Sequence, residues 1–523
     1  MNIRANIYYY LITILYLILA ITVHDDFGAT WDEFRNRKYA QEVVKTWGNT
    51  KYNEVLGEHG DIKDGDSHAA TRGPLYLIIL NKLESIFSAN DPYHHFKFRR
   101  FFNHLFFITT GIIFLFFLKR VFLDTKVVTI AYLMYFLSPR IYAHSFYNVV
   151  DIPFLCFFLL FIISLDQLIQ KRSIKTLLIH ALICAIVTSL RTVGEISIIV
   201  SVLVLAKRIF DEKDIKLKDN VQNLTTFTLT TLIVYFFITP YLWISPWKSI
   251  LEIHHQSANF GDTVTMPVLY LGNVFKSTFL PWHYTLIWIC ITLPSFYVIA
   301  LFLSILKNLS QYKVWFTKQK YFQSLLLFIF IIVLLSACLF TYSKYNDWRH
   351  FYFLYPVMIL IIAFTFDSLT NRRAKNIIFT FFLIQFSITA YDMYKYHPHQ
   401  LTFFNRLSGG ITKAQDKFPL EYFGSSYKQA IFEILEDSKN KNSINVSFYP
   451  YSPGWHNLQT LPENLRQKIM VVHDWKDADY FTSKWVFRPH NQKLLDMKQY
   501  IFKEISIDGI PIHQIYKLNH EVK

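Results

Sequence analysis

The chain is sparing with the residues that staple small secreted folds or cradle nucleotides. Only 4 of its 523 residues are cysteine, and Cys156, Cys184, Cys290 and Cys338 all fall inside apolar runs. The loops therefore hold no disulfide framework, and cysteine usage does not disclose the redox compartment. No GxGxxG follows a strand pattern and no GxxxxGK[ST] occurs, so a nucleotide-binding domain has no support. The adjacent pairs His94-His95 and His254-His255 lack the i,i+4 spacing that puts two ligands on one helix face, and no zinc site is expected. A lone acid-x-acid triplet, Asp64-Gly65-Asp66, is too common in loops to define a metal site. Charged residues amount to 17%, with 38 acids against 53 Lys and Arg.

What the chain has in quantity is apolar surface. Hydrophobic residues make up 52% and aromatics 18%, and the mean hydropathy is +0.24, more than a soluble globular chain carries. Apolar runs of roughly spanning length occupy 7–23, 101–118, 127–145, 152–169, 176–190, 193–206, 223–242, 283–305, 321–341, 351–367 and 376–391. We read a polytopic α-helical membrane protein of about 11 transmembrane helices.

The segment 74–88 is apolar but short and holds Asn81, Lys82 and Glu84. A charge at mid-bilayer costs about 2.5–3.5 kcal/mol on insertion scales, which favours an interfacial amphipathic helix. With that helix lying flat, Lys119/Arg120/Lys126, Lys171/Arg172/Lys175, Lys207/Arg208, Lys307 to Lys320 and Arg372/Arg373/Lys375 share one face. The positive-inside rule makes that face cytoplasmic. Residue 1–23 is then an uncleaved anchor, since no small-x-small site precedes His24. An extracytoplasmic loop covers 24–100, the remaining spans 101–391, and an extracytoplasmic C-terminal domain 392–523. The net charge of +15 reflects loops that orient spans; no basic stripe interleaved with aromatics points to nucleic acid.

The tail reads as a small α/β unit. Ser425 or Ser426 would cap a helix running to Leu435, 444–449 alternates like a strand, and 500–507 and 510–517 flank an Asp508-Gly509 hairpin turn.

Polar residues at the outer boundary are the candidates for chemistry. Asp32 and Glu33 follow the first span, and Asp151 appears where the third emerges on the same side. Facing carboxylates at a membrane surface suit a general base at a lipid-substrate site; the plain alternatives are a solvated loop and an N-cap before Pro153. Arg191 and Glu195 are spaced i,i+4, which fits either a phosphate anchor or a structural ion pair. Arg140 and His144 in span three, Arg72 before the amphipathic helix and Arg349-His350 before span ten would converge on the same surface. Such a ring of cations matches an anionic lipid headgroup.

These features resemble the GT-C class of membrane glycosyltransferases. They include an Asp-Glu after the first span, a long outer loop closing on Arg72-Gly73-Pro74-Leu75-Tyr76, and an outer aspartate after span three. The stretches Ser138 to Asn148, Asp151-Ile152-Pro153, Trp348-Arg349-His350-Phe351, His397-Pro398 through Asn405, Gly409-Gly410 and Tyr422-Phe423-Gly424 resemble, more narrowly, the protein O-mannosyltransferase and aminoarabinose transferase group. The resemblance implies transfer of a sugar from a polyprenyl-phosphate donor to an acceptor protein, lipid or glycan on the extracytoplasmic face of the cytoplasmic membrane. Asp32 would then be the base, Asp151 and Glu33 its neighbours, and Arg191, Arg72, Arg349 and His350 the grip on phosphate. A divalent metal is optional in this chemistry. The competing readings are an exporter of lipid-linked glycans, which inverted repeats would favour, and an oligosaccharide ligase or polymerase; no such repeat is present.

Overall fold

A computed structural model describes residues 3–46, 73–211, 217–243, 245–258, 265–311, 317, 320–340, 343–484 and 498–518. The chain starts with α1 (Ile3–Val23), α2 (Trp31–Thr46), α3 (Leu75–Phe87), α4 (Pro92–Val121), α5 (Thr125–Phe136), α6 (Pro139–Tyr147), α7 (Asp151–Gln170) and α8 (Ile174–Leu190). It continues through α9 (Ile196–Asp211), α10 (Leu217–Ile238), α11 (Pro246–Ala258), α12 (Tyr284–Thr292), α13 (Ser295–Ser310), α14 (Tyr321–Leu339), α15 (Tyr355–Asp367) and α16 (Arg372–Lys395). Arg72 and Asp64-Gly65-Asp66 lie outside the described residues.

Six helical stretches among the described residues are long and apolar enough to cross a membrane: α4, α7, α10, α14, the stretch Arg349–Asp367 that ends in α15, and α16. Ile7–Val23, Thr125–Phe136, Ile174–Leu190 and Ser295–Ser310 are shorter apolar helices. Several runs that read as single spans are broken. The run 127–145 splits into α5 and α6 before Pro139, and 283–305 splits into α12 and α13 before Pro294. Proline cannot donate to the preceding turn and pushes the residue before it out of the helical region. Such breaks are tolerated at depth where protein covers the freed backbone, and all of α6 is buried.

Caps fix where the helices begin. Asp91 accepts from the Tyr93 amide ahead of α4, Asp124 from Lys126 ahead of α5, and Asn371 from Arg373 and Ala374 ahead of α16. Helix α3 has 13 residues, and its one acid is turned to protein: the buried Glu84 accepts from both Nε and Nη2 of Arg37, at 2.8 and 2.6 Å, and from Arg99 at 3.0 Å, while Lys82 is exposed. The basic residues assigned to one face gather at one end of the bundle. Arg120 pairs with Asp166 at 2.5 Å, Lys375 with Asp124 at 2.8 Å, Arg208 donates to the Leu168 carbonyl, and Lys307 donates to Ser368 at 2.7 Å.

The C-terminal part carries a five-stranded sheet. A separate hairpin, β1 (Pro267–Tyr270) and β2 (Asn273–Lys276), precedes it. The sheet contains β3 (Ile444–Tyr449), β4 (Ile469–Val471), β5 (Tyr480–Lys484), β6 (Ile501–Ile507) and β7 (Ile510–Lys517) in the order β4-β3-β5-β7-β6. Strand β3 runs parallel to β4 and β5, and β7 is antiparallel to β5 and β6. The β6–β7 hairpin turns at Asp508 and Gly509 with φ of +51° and +75°, the left-handed pair that an Asp-Gly turn supplies. Helix Tyr427–Asp437 does begin after Ser426, but that serine makes no side-chain cap. Its hydroxyl instead meets the Glu421 carboxylate at 3.1 Å and His513 at 2.8 Å.

Candidate active site: two carboxylates on one guanidinium

Local sequence sets each wall of the site. At the start of α2, Oε2 of Glu33 accepts from the Thr30 amide at 2.9 Å, one of the two contacts of a capping box. That backward turn takes Glu33 away from Asp32 and buries it beside Arg100, whose Nε lies 3.4 Å from Oε1. Burial pushes the Glu33 carboxyl up, while Arg100 and the Thr30 amide pull it down, and burial prevails. One residue earlier along the helix, Asp32 faces the other way and keeps 29% of its side chain exposed.

The turn ahead of α2 is clamped by the C-terminal domain. The Trp31 amide donates to the Phe423 carbonyl at 3.1 Å. Asn457 accepts from the Ala29 amide at 2.7 Å and donates back to the Ala29 carbonyl at 2.9 Å. A Cβ on Gly28 would sit 1.9 Å from the Ser425 carbonyl oxygen, so only glycine permits this approach.

Asp151 is the first residue of α7 and not its cap, a position held by Val150. Oδ1 of Asn148 accepts from the Val150 and Asp151 amides at 3.2 and 2.8 Å. The Asp151 carboxylate, 1% exposed, is left for cations. Oδ1 pairs with Nη2 of Arg191, and Oδ2 accepts from Asn148 at 2.8 Å. Arg191 stands in extended conformation between α8 and the short 3₁₀ turn Thr192–Glu195. Gly73 packs against this elbow; a Cβ there would lie 1.6 Å from the Ser189 carbonyl oxygen.

Arg349 joins the two acids. It opens the 3₁₀ turn Arg349–Leu354 ahead of α15, and its Nη1 lies 2.9 Å from Oδ2 of Asp32 and 3.3 Å from Oδ2 of Asp151. The guanidinium is 6% exposed and lies over the rings of Phe423 and Tyr345, at 4.9 and 5.4 Å. The result is a linked group, Arg191–Asp151–Arg349–Asp32, with Asp32 the more exposed of its two carboxylates.

Other candidates from the sequence sit elsewhere. Glu195 pairs with His254 of α11 at 2.8 Å, and Arg191 is turned to Asp151. Arg140 is a buried clamp: it donates to the Phe403 carbonyl at 2.9 Å and to Asp347 at 3.0 Å, and lies between the Trp288 and Phe404 rings. His350 packs edge-on to Tyr345 at 5.1 Å. His144 is buried and reaches the site through Asn148, 2.9 Å away. Sequence reasoning missed Asn148, Asp347, Tyr422, Asn457 and Arg100. Asn148 and Tyr422 belong to stretches that carried the family resemblance; nothing in the local pattern marks Asp347.

No protein-family profile matches the chain, and no curated protein matches it in sequence. Among solved structures, ArnT from Cupriavidus metallidurans in the apo state aligns with a TM-score of 0.50 at 10% identity, covering 98% of this chain and 98% of that one. The same protein bound to undecaprenyl phosphate gives 0.49 at 10% identity, with 97% of each chain covered. The Archaeoglobus fulgidus oligosaccharyltransferase in the apo form gives 0.42 at 11% identity, with 89% of this chain covered and 65% of that one; the present chain thus spans about two thirds of its length. The whole-length match to ArnT shows the fold: a mostly α-helical chain, with six helical stretches among the described residues apolar enough to cross a membrane and a small C-terminal sheet domain, arranged as in that protein.

Proposed function

We propose that this protein is an integral membrane glycosyltransferase that moves a sugar from a polyprenyl-phosphate donor to an acceptor protein, lipid or glycan outside the cytoplasm. One observation carries the reading: Arg349 Nη1 lies within 2.9 and 3.3 Å of carboxylates that begin two different helices. The two acids and two arginines meet at the end of the bundle away from the clustered basic loops, which supports an outward-facing site.

In this reading the acceptor's O–H or N–H attacks the anomeric carbon, the bond from that carbon to the phosphate oxygen breaks, and the proton passes to Asp32. Asp32 takes the role because it is the exposed member of the pair, whereas Asp151 is covered by three donors. Charge accounting favours the same step. A phosphate adds negative charge beside these groups that must be offset. Protonating Asp32 removes one negative charge and releases Arg349 Nη1 toward the departing phosphate. Glu33, held by the Thr30 amide and Arg100, supports the helix that carries the base.

Binding of undecaprenyl phosphate to the purified full-length protein, followed by native mass spectrometry, tests the donor side. Parent protein should bind it and Arg349→Ala should bind at least about tenfold more weakly, the loss expected for a charge-assisted contact. Equal binding by both would remove Arg349 from the donor site.

A further inference from the structure

Behind Asp151 lies a line of buried polar groups that the proposed reaction does not use directly. Asn148 fixes its own orientation through the two backbone amides that its Oδ1 accepts, so its Nδ2 is the donor both to Asp151, at 2.8 Å, and to Nδ1 of His144, at 2.9 Å. An accepting Nδ1 puts the ring proton of neutral His144 on Nε2. That nitrogen lies 3.2 Å from the Tyr422 hydroxyl oxygen, and the Tyr422 hydroxyl donates its own proton to Oδ2 of Asp347 at 2.7 Å. The same Asp347 oxygen accepts from Tyr352 at 3.0 Å and Arg140 at 3.0 Å.

Every group in this line is buried, and each has the donor or acceptor state its neighbour requires. The far end is strained. Asn346 and Asp347 adopt φ of +53° and +63°, a left-handed conformation that costs non-glycine residues free energy and persists only where surroundings over-determine it. Three donors on one carboxylate oxygen supply that determination. The line also crosses between parts of the fold: Tyr422 belongs to the segment whose next residue accepts from Trp31, beside Asp32.

We infer that Asp347, Tyr422, His144 and Asn148 form a positioning line that holds the Asp151 carboxylate, and through Arg349 the Asp32 carboxylate, in the geometry for transfer. This rests on the glycosyltransferase reading above. The residues do not touch substrate in this account; they fix the rotamer of Asp151 by way of one amide. A small displacement of Asp151 moves Arg349 Nη1, which it shares with Asp32, and errors of about 1 Å cost on the order of 10²-fold in rate.

The test uses full-length variants at matched membrane levels, with two readouts: sugar transfer, from the glycan and glycolipid masses of the cells, and undecaprenyl phosphate binding by native mass spectrometry. Tyr422→Phe deletes one hydroxyl and leaves the backbone carbonyl that Lys484 uses. His144→Asn keeps an acceptor near Nδ1, while His144→Ala keeps neither contact. The inference predicts undecaprenyl phosphate binding within about twofold of parent for Tyr422→Phe and His144→Asn. Transfer should fall about tenfold in each and further in His144→Ala. Transfer at the parent rate in Tyr422→Phe and His144→Asn would overturn it. So would loss of phosphate binding in step with loss of transfer, which would make the line a plain structural support. Asp32→Asn separates the two claims: if it transfers normally the glycosyltransferase reading fails, whereas if it is inactive and Tyr422→Phe is not, only the positioning line fails.

Discussion

Asp32 and Asp151, at the starts of helices far apart in the chain, accept hydrogen bonds from the same nitrogen of Arg349. The sharing has consequences for each partner. Asp151 has Arg191 and Asn148 also upon it; in the proposed reaction Asp32, with the more exposed side chain, meets the acceptor. Burying such a group is costly unless its charges are matched, and Asp151 has two arginines upon it.

Arg349 should therefore not tolerate lysine. Lysine retains the charge, but its ammonium cannot lie flat over the Phe423 ring as the planar guanidinium does, nor place a nitrogen where Nη1 meets both carboxylates. We expect Arg349→Lys and Arg349→Ala both to lower transfer, by about 10²-fold or more, the range for removing one stabilising donor at a reacting centre. Glycan mass profiling at equal protein levels reads this out; a lysine variant as active as the parent would contradict it.

Glu33 should behave as a stability residue. Losing one partner of a buried ion pair costs about 3–5 kcal/mol, and losing a capping contact about 1 kcal/mol. Glu33→Gln should lower the melting temperature of the detergent-solubilised protein while the folded fraction keeps its turnover. Full thermal stability with abolished transfer would return Glu33 to the reacting centre.

The sign of the difference is legible in the local pattern. Thr30-x-x-Glu33 is a capping-box spacing, which gives Glu33 a helix-start role to be weighed beside the reacting-centre one. Asp32, Asp151, Arg191 and Arg349 could be singled out because charges at span boundaries are costly; their convergence could not, since it depends on how α2, α7, α8 and the turn before α15 pack. The runs 127–145 and 283–305 read as single spans because hydropathy alone does not register the turns at Pro139 and Pro294. Asp347 was hidden for a different reason: its role comes from a left-handed backbone and three partners, two of them remote in sequence.

Lys484, buried at the end of β5, donates to the Tyr422 carbonyl at 2.6 Å and lies over Trp31. Burial lowers its ammonium to about 8 despite the opposing pull of Glu421. The unfolded chain keeps that proton to about pH 10.4, so between these values the unfolded state binds more protons and stability rises with pH. The cost of the buried charge is fully present below pH 8. The stability difference between Lys484→Met and parent should thus change steadily from about pH 8 to about pH 10 in the parent's favour. A difference independent of pH, measured by thermal unfolding, would contradict the assignment.

The sidedness of the bundle predicts labelling. In a background lacking the four native cysteines, single cysteines at Lys119 and Lys171 should resist impermeant thiol reagents in intact cells, and one at Ser452 should react. Labelling of position 119 from outside would reverse the topology.

The account's central claim is that Asp32 takes a proton as sugar leaves a lipid phosphate. Asp32→Asn keeps the shape and most hydrogen bonding but cannot accept the proton, and general-base contributions are about 10²–10⁴-fold. The most direct measurement is the mass profile of glycolipids and glycoproteins in cells carrying parent or Asp32→Asn protein at equal membrane levels, alongside a deletion strain. The account predicts that a sugar-sized mass difference present with the parent is missing in Asp32→Asn and in the deletion strain alike, while the variant protein still binds undecaprenyl phosphate. A profile in Asp32→Asn identical to the parent's would contradict it.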